Sequence, residues 1–179
     1  MDELQKKDLL KRLARLDEDV DLLFDDERRF LMVIVGGSAL ILLEVIPRTT
    51  HDIDVLSVPS EIVDLLEKYD MNTQVQSYIN HFPYNYEDRL VALPVKGRRI
   101  DFYTASLEDI VIAKLYSLRD QDKDDIESPA VLRALDWDLL EHLATAEEEA
   151  YSSALNDRRY QDFRASYDEY VRRCHPCES

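Results

Sequence analysis

The sequence predicts an α/β (α+β) chain whose strands are gathered in the middle, between an N-terminal helix and a helical C-terminal part. Three observations predict it. Residues 2–24 repeat leucine at helical spacing, short apolar runs bounded by turn residues cluster between residues 30 and 103, and from Ser106 onward the pattern is helical. At 179 residues, 45% of them hydrophobic, the chain suits one domain with a substantial core. That domain is taken as 1–179, with its core at about 25–126 and C-terminal helices at about 127–173.

The elements follow in order. Leu9, Leu10, Leu13, Leu16 and Leu23 form the apolar stripe of an amphipathic first helix. Phe30 to Val35 is a buried strand, ended by Gly36-Gly37; Ser38 to Glu44 is helical, and Pro47 stops it. Ile53 to Ser57 is a second strand, and Ser60 caps a helix through Tyr69. Arg89 to Val95 and Arg98 to Tyr103 read as two strands joined in a hairpin at Lys96-Gly97. Ser106, with Asp109 three residues on, resembles a capping box. Asp136 starts a later helix and Asp157 to Arg173 forms the last, for three or four C-terminal helices in all.

Composition narrows the function. A charged fraction of 34% with only three glycines excludes collagen-like and low-complexity chains. No run approaches the roughly 18 apolar residues of a membrane span, and the charged start, Met1 to Lys7, does not read as a secretory signal. Two cysteines in the last six residues make no disulfide framework, so the expected location is cytoplasmic. Lys plus Arg is 22 and Asp plus Glu is 38, a net −16. That field argues against DNA and mildly against a large RNA, while tolerating divalent cations.

Chemistry concentrates at three places. Gly36-Gly37, after a buried strand and before a helix, marks either a positive φ or a close approach to the main chain. The helix N-terminus behind it suits phosphate, and Ser38 adds a hydroxyl there. An ordinary strand-to-helix turn is the alternative. Next, Asp52 and Asp54 lie two apart and face one side of a strand, while Ile53 and Val55 face the core. Side-by-side carboxylates repel unless a cation sits between them, and Mg²⁺ favours such oxygens. Finally, Asp101 lies between Ile100 and Phe102 in a predicted strand and is expected to complete a three-carboxylate cluster. Three acids can hold the two metal ions of an in-line phosphoryl transfer.

Gly37-Ser38, thirteen further residues, Asp52-Ile53-Asp54 and a later lone Asp101 together resemble the polymerase-β-like nucleotidyltransferase superfamily. The finer pattern, Val35-Gly36-Gly37-Ser38-Ala39-Leu40 with Arg48-Thr49-Thr50-His51-Asp52-Ile53-Asp54, resembles the small prokaryotic branch of AbiEii/MenT-type toxins and related nucleotidyltransferases. The resemblance covers about residues 30 to 126. It implies a small mixed β-sheet flanked by helices and transfer of a nucleoside monophosphate from an NTP to an acceptor, with release of pyrophosphate. It also implies that Gly37 and Ser38, with Gly36, hold the triphosphate. Asp52 and Asp54 would bind both metals (Mg²⁺ or Mn²⁺), and Asp101 would bind one metal and help deprotonate the attacking hydroxyl. A tRNA or protein acceptor and an antitoxin partner are the further expectations, with no membrane.

Other residues carry open alternatives. Helical geometry puts Lys114 in an apolar stripe, between Ile110 and Leu118. It would snorkel, pair with a buried acid, or neutralise phosphate. The toxin-like branch has a lysine here followed by an Arg-x-x-Asp-x-x-Asp pattern, matched by Arg119, Asp122 and Asp125. In a charged turn those two acids read first as solvated surface or caps. Arg48 contacts phosphate or the acceptor, or is a surface arginine after Pro47. Arg89, Lys96, Arg98 and Arg99 make a locally basic stretch for RNA or nucleotide. Tyr78, His81, Phe82, Tyr84 and Tyr86 either stack bases or cover a core edge. Cys174-His175-Pro176-Cys177 permits two metal ligands or a redox pair, and reads as a tail without function. A non-catalytic nucleotide-binding module on the same fold is the second reading of the whole, and an acidic interaction protein the third.

Overall fold

The structure, a computed structural model, describes residues 2–56, 58–117, 119–146 and 157–175. It is a mixed α/β chain with a five-stranded mixed sheet flanked by helices, the class the sequence predicts. The chain divides into two compact units, Met1–Ser77 with Leu90–Ala105, and Tyr78–Arg89 with Ser106–Ser179. Among the described residues no helix is long and apolar enough to cross a membrane.

The first unit holds the whole sheet. Its elements are α1 (Asp2–Asp21), β1 (Phe30–Val35), α2 (Gly36–Leu42), β2 (Ile53–Leu56), α3 (Val63–Leu66), β3 (Met71–Asn72), β4 (Val91–Ala92) and β5 (Ile100–Thr104). The strand order is β3-β2-β1-β5-β4. β1 runs antiparallel to β2 and parallel to β5 and is the central strand of the sheet. One face of the sheet carries Met32, Ile34, Ile53, Val55, Ile100 and Phe102, all buried. The first helix ends at Asp21, three residues sooner than the leucine pattern suggests, and Leu22 and Leu23 beyond it are exposed.

Two other expectations change. Ser60 does not cap one continuous helix: its hydroxyl donates to Glu61 Oε2 (3.2 Å), and the segment breaks into two 3-10 turns around the four-residue α3. The left-handed Asp70 (φ 53°) then ends it and delivers the unanticipated β3. The hairpin is shorter than the apolar runs suggest, because β4 spans two residues and Pro94 offers no donor. Its connection is fixed from outside instead. Asp17 of α1, buried, accepts the backbone N–H groups of Arg98 (2.7 Å), Arg99 (2.9 Å) and Ile100 (2.7 Å). A Cβ at Gly97 would meet that carboxylate at 2.8 Å and the Ile100 carbonyl at 2.2 Å, which is why glycine stands there.

The second unit is helical, with five helices among the described residues where the sequence suggests three or four, because the segment after Tyr116 breaks into two short ones: α4 (Leu107–Tyr116), α5 (Asp120–Ile126), α6 (Pro129–Ala134), α7 (Trp137–Thr145) and α8 (Asp157–Cys174). The capping expectations hold. Ser106 Oγ accepts Asp109 N–H (3.1 Å), and Asp136 Oδ1 accepts Leu139 N–H (3.0 Å). α4 is the pivot, packing on both α7 and α8. Arg89 is internal rather than part of a basic surface, donating from Nε (2.9 Å) and Nη2 (2.7 Å) to the buried Asp109. Of the aromatic cluster, Phe82 and Tyr86 are core and Tyr84 is exposed. The Tyr78 side chain lies outside the described residues, as do Pro176 and Cys177 of the terminal motif.

His81 is buried, stacked on Tyr116 (ring centroids 5.1 Å), which in turn stacks on Phe163 (4.3 Å). Arg159 Nη2 donates to His81 Nε2 (2.5 Å), leaving the ring proton on Nδ1. Burial first, and the Arg159 charge second, push the imidazole down from 6.5 to about 4. A base depressed in the fold contributes stability above its unfolded value and loses it as the pH falls from 6.5 towards 4. Between pH 7.5 and 4.5 the wild type is expected to lose about 2–3 kcal/mol more than His81→Gln does, read by urea unfolding at the two pH values. Equal losses would remove His81 as the cause.

Candidate active site

The turn after β1 is built so that two charged side chains press against bare backbone. Val35 ends β1 opposite Asp54 of β2. Gly36 follows with φ +67°, a left-handed conformation natural to glycine. A Cβ on Gly36 would lie 2.5 Å from Asp54 Oδ2, and one on Gly37 would lie 2.5 Å from Arg48 Nη2. The glycine pair is therefore a close-approach device. Gly36, Gly37, Arg48 and Asp54 are brought together as the sequence expects of a site.

Asp54 is also held from its other side. Asn72 of β3 donates from Nδ2 to Asp54 Oδ1 (3.1 Å). Nothing in the sequence singles Asn72 out, because its strand is two residues long and exists only through pairing with β2. Asp52 immediately precedes β2 and is exposed, its carbonyl accepting the Thr50 hydroxyl (2.9 Å). Ser38 is at the turn but differs from expectation. It is buried, and its hydroxyl donates to the Val35 carbonyl (3.1 Å), so it closes the first turn of α2.

Asp101 is not brought to the pair. It projects on the same face as Asp54, as alternation requires, but its register on β1 is Leu31, whereas Asp54 stands at Val35. Four residues along a strand are about 13 Å, with two strand spacings of about 4.8 Å across. No cation with oxygen ligands at roughly 2.1 Å spans that gap. Asp101 instead pairs with Arg29, whose Nε reaches Oδ2 (3.1 Å) and whose Nη1 donates to the Arg98 carbonyl (2.6 Å). Among the described residues no group of three or more His, Cys, Asp or Glu is placed to hold a metal.

Of the basic stretch, Arg98 and Arg99 engage α1 and the loop after it, while Lys96 is exposed. Arg99 donates from Nε to Asp21 Oδ1 (2.5 Å) and from Nη2 to the Phe24 carbonyl (2.8 Å), and Arg98 Nη1 reaches Asp21 Oδ2 (3.4 Å).

Lys114, Asp122 and Asp125 do come together, within the second unit. Lys114 Nζ donates to Asp122 Oδ1 (2.5 Å) and Asp125 Oδ2 (2.9 Å), with all three side chains less than 10% exposed. The two acids are thus buried partners rather than the solvated or capping residues the charged turn suggests. Burial alone would raise the Asp122 carboxyl, but hydrogen bonds from Arg119, Lys114 and Ser117 outweigh it and hold the group below its ordinary value. In this geometry the lysine ties α4 to α5.

Gly36→Ala is expected to destabilise the chain by about 1–2 kcal/mol, because it adds a positive-φ penalty and pushes Asp54 off Asn72. Urea unfolding reads it, beside Gly37→Ala, where only the flexible end of Arg48 must move and the loss is smaller.

A family model described as a nucleotidyltransferase of unknown function (DUF6036) matches residues 11–175. No curated protein and no solved structure matches the chain.

Proposed function

The chain belongs to the DUF6036 family of nucleotidyltransferases, and from that premise we propose that its first unit moves a nucleoside monophosphate from an NTP to an acceptor. The observation that carries the reading is the seating of Asp54 and Arg48 against the Cα atoms of Gly36 and Gly37. A triphosphate laid along that turn meets a guanidinium at one glycine and a carboxylate at the next. Phosphate beside carboxylate repels unless a divalent cation joins them. Asp52 and Asp54 supply hard oxygens of the kind Mg²⁺ or Mn²⁺ takes, one or two carboxylates with phosphate and water filling the shell. That cation, when bound, offsets the charge on the phosphoryl group being transferred.

The chain's own residues do the rest. The glycines let the phosphates approach the main chain, Arg48 pairs with their oxygens, and Asn72 holds Asp54 in one rotamer. The acceptor hydroxyl forms its bond to the α-phosphorus as the bond to the β-phosphate bridge breaks, and pyrophosphate and the hydroxyl proton leave. The resemblance to AbiEii/MenT-type proteins extends the proposal to a tRNA or protein acceptor and to the toxin of a toxin–antitoxin or defence pair. A second reading, a non-catalytic nucleotide-binding module, draws on one observation: Asp101 stands at the level of Leu31 rather than beside Asp54.

The test incubates the protein with each α-labelled NTP and Mg²⁺ or Mn²⁺. Total tRNA, cell lysate and the protein alone serve as acceptors, beside Asp52→Ala. Label on one acceptor, absent with Asp52→Ala, is the expected result. Metal-dependent NTP binding without label would favour the second reading, and neither binding nor label would end both.

A further inference from the structure

β3 is only two residues long, yet it carries Asn72, the residue that holds Asp54. A strand that short makes too few ladder bonds to fix its own register. The register is nonetheless specific, with Ile53 opposite Met71 and Asp54 opposite Asn72. Ile53 N–H donates to the Asp70 carbonyl (2.9 Å) at the entry to β3. Past its end, Gln74 N–H donates to Asn72 Oδ1 (3.0 Å), which turns Nδ2 towards Asp54.

A further hold comes from α1. Arg12, half-buried, places one guanidinium nitrogen on carbonyls that precede both strands. Its Nη1 donates to the His51 carbonyl (3.3 Å), next to Asp52, and to the Tyr69 carbonyl (3.4 Å), next to the left-handed Asp70. The Asp70 carboxylate lies 3.8 Å from the same nitrogen. α1 grips Tyr69 a second time, the phenol donating to Asp19 Oδ2 (2.7 Å). Burial first, and that hydrogen bond second, push the phenol up to about 12, so it stays a donor. Arg12 therefore acts on Asp52 and Asp54 through the backbone that carries them.

We propose that Arg12 is a positioning residue of the cation site: by stapling β3 to β2 at their shared entry it sets Asn72 opposite Asp54, and so sets how tightly Asp52 and Asp54 take a divalent cation. The inference rests on the nucleotidyltransferase reading above and deepens it by extending the support of that site to α1. Removing Arg12 has two effects of opposite sign, so the direction of the change is decisive. By field alone, a positive charge lost beside acidic side chains draws a divalent cation in. A lost staple loosens the carboxylate that would hold it, and the outer partners of a metal ligand are worth roughly 10–100-fold in metal affinity.

The experiment titrates each NTP calorimetrically, at a series of Mg²⁺ concentrations, into the wild type, Arg12→Ala, Arg12→Lys and Lys11→Ala. The last removes the same charge from an exposed position of α1. Arg12→Ala is expected to need about ten-fold more Mg²⁺ for half-maximal binding, Arg12→Lys less, and Lys11→Ala no more than the wild type. A loss of folded protein would lower the number of sites and leave that midpoint alone. Asn72→Ala raises the midpoint likewise, and Arg12→Ala added to it changes little further, because both act on one alignment. In metal-free protein, the Ile53 amide of Arg12→Ala exchanges its hydrogen faster than that of the wild type. A midpoint in Arg12→Ala at or below the wild-type value, unchanged exchange at Ile53, or effects of the two substitutions that multiply would each overturn the staple and leave the cation site standing. A wild type that binds no NTP at any Mg²⁺ concentration would overturn the parent reading, and the staple with it.

Discussion

Asp54→Asn is expected to lower nucleotide transfer by at least about a hundred-fold, or about 2.7 kcal/mol of transition-state stabilisation. The substitution keeps the shape of the side chain and an acceptor for Asn72, but it removes the charge that a divalent cation needs. Folding is expected to change far less than transfer does, since the side chain keeps its size and the amide of Asn72 keeps its acceptor. Asp52→Asn behaves alike, with a smaller loss because Asp52 is exposed outside the strand end. Asp101→Asn is the informative control. Its carboxylate serves Arg29 at the level of Leu31, so transfer stays near the wild-type rate. Steady-state rates with saturating NTP and Mg²⁺, with urea unfolding of each variant, check all three. A loss at Asp101 equal to that at Asp54 would restore the three-carboxylate cluster.

Lys114→Met is expected to destabilise the second unit by about 3 kcal/mol, because it takes from the buried Asp122 and Asp125 the cation they share, Arg119 remaining beside Asp122. The cost is not that of losing a lysine as such. Replacing all three, as Lys114→Met with Asp122→Asn and Asp125→Asn, removes the buried carboxylate charge as well and is expected to recover most of the loss. Denaturant unfolding of the single and triple variants reads the difference. Equal instability of the two would mean that the packing of the lysine stem, and not its charge, is what α4 and α5 depend on.

How far the sequence was readable follows from which physical rule each residue obeys. Alternation and helical period are local, so β1, the Ser106 cap of α4 and the start of α7 at Asp136 were legible residue by residue. The Gly36-Gly37 pair was legible because so few glycines occur that two together need a reason, and the reason is Asp54 and Arg48. Alternation also put Asp101 and Asp54 on one face correctly. It could not give the level along the strand, which is fixed by pairing across β1 and not by either residue's neighbours. The same limit hid Asn72 and the fate of the arginines at 89, 98 and 99, whose acidic partners lie on other elements. Lys114 shows the converse. Its place in an apolar stripe left snorkelling, a buried acid and phosphate all open, and the structure gives it buried acids; those acids looked solvated because a charged turn carries no periodicity.

The central claim is that the glycine turn with Asp54 forms a cation-dependent triphosphate site. Titrating NTP into the wild type, Asp54→Asn and Asp101→Asn, each in Mg²⁺ and again in EDTA, tests it most directly. Binding by the wild type and Asp101→Asn in Mg²⁺ only, with loss of binding by Asp54→Asn, is the expected result. Binding that persists in EDTA, or in Asp54→Asn, would contradict it.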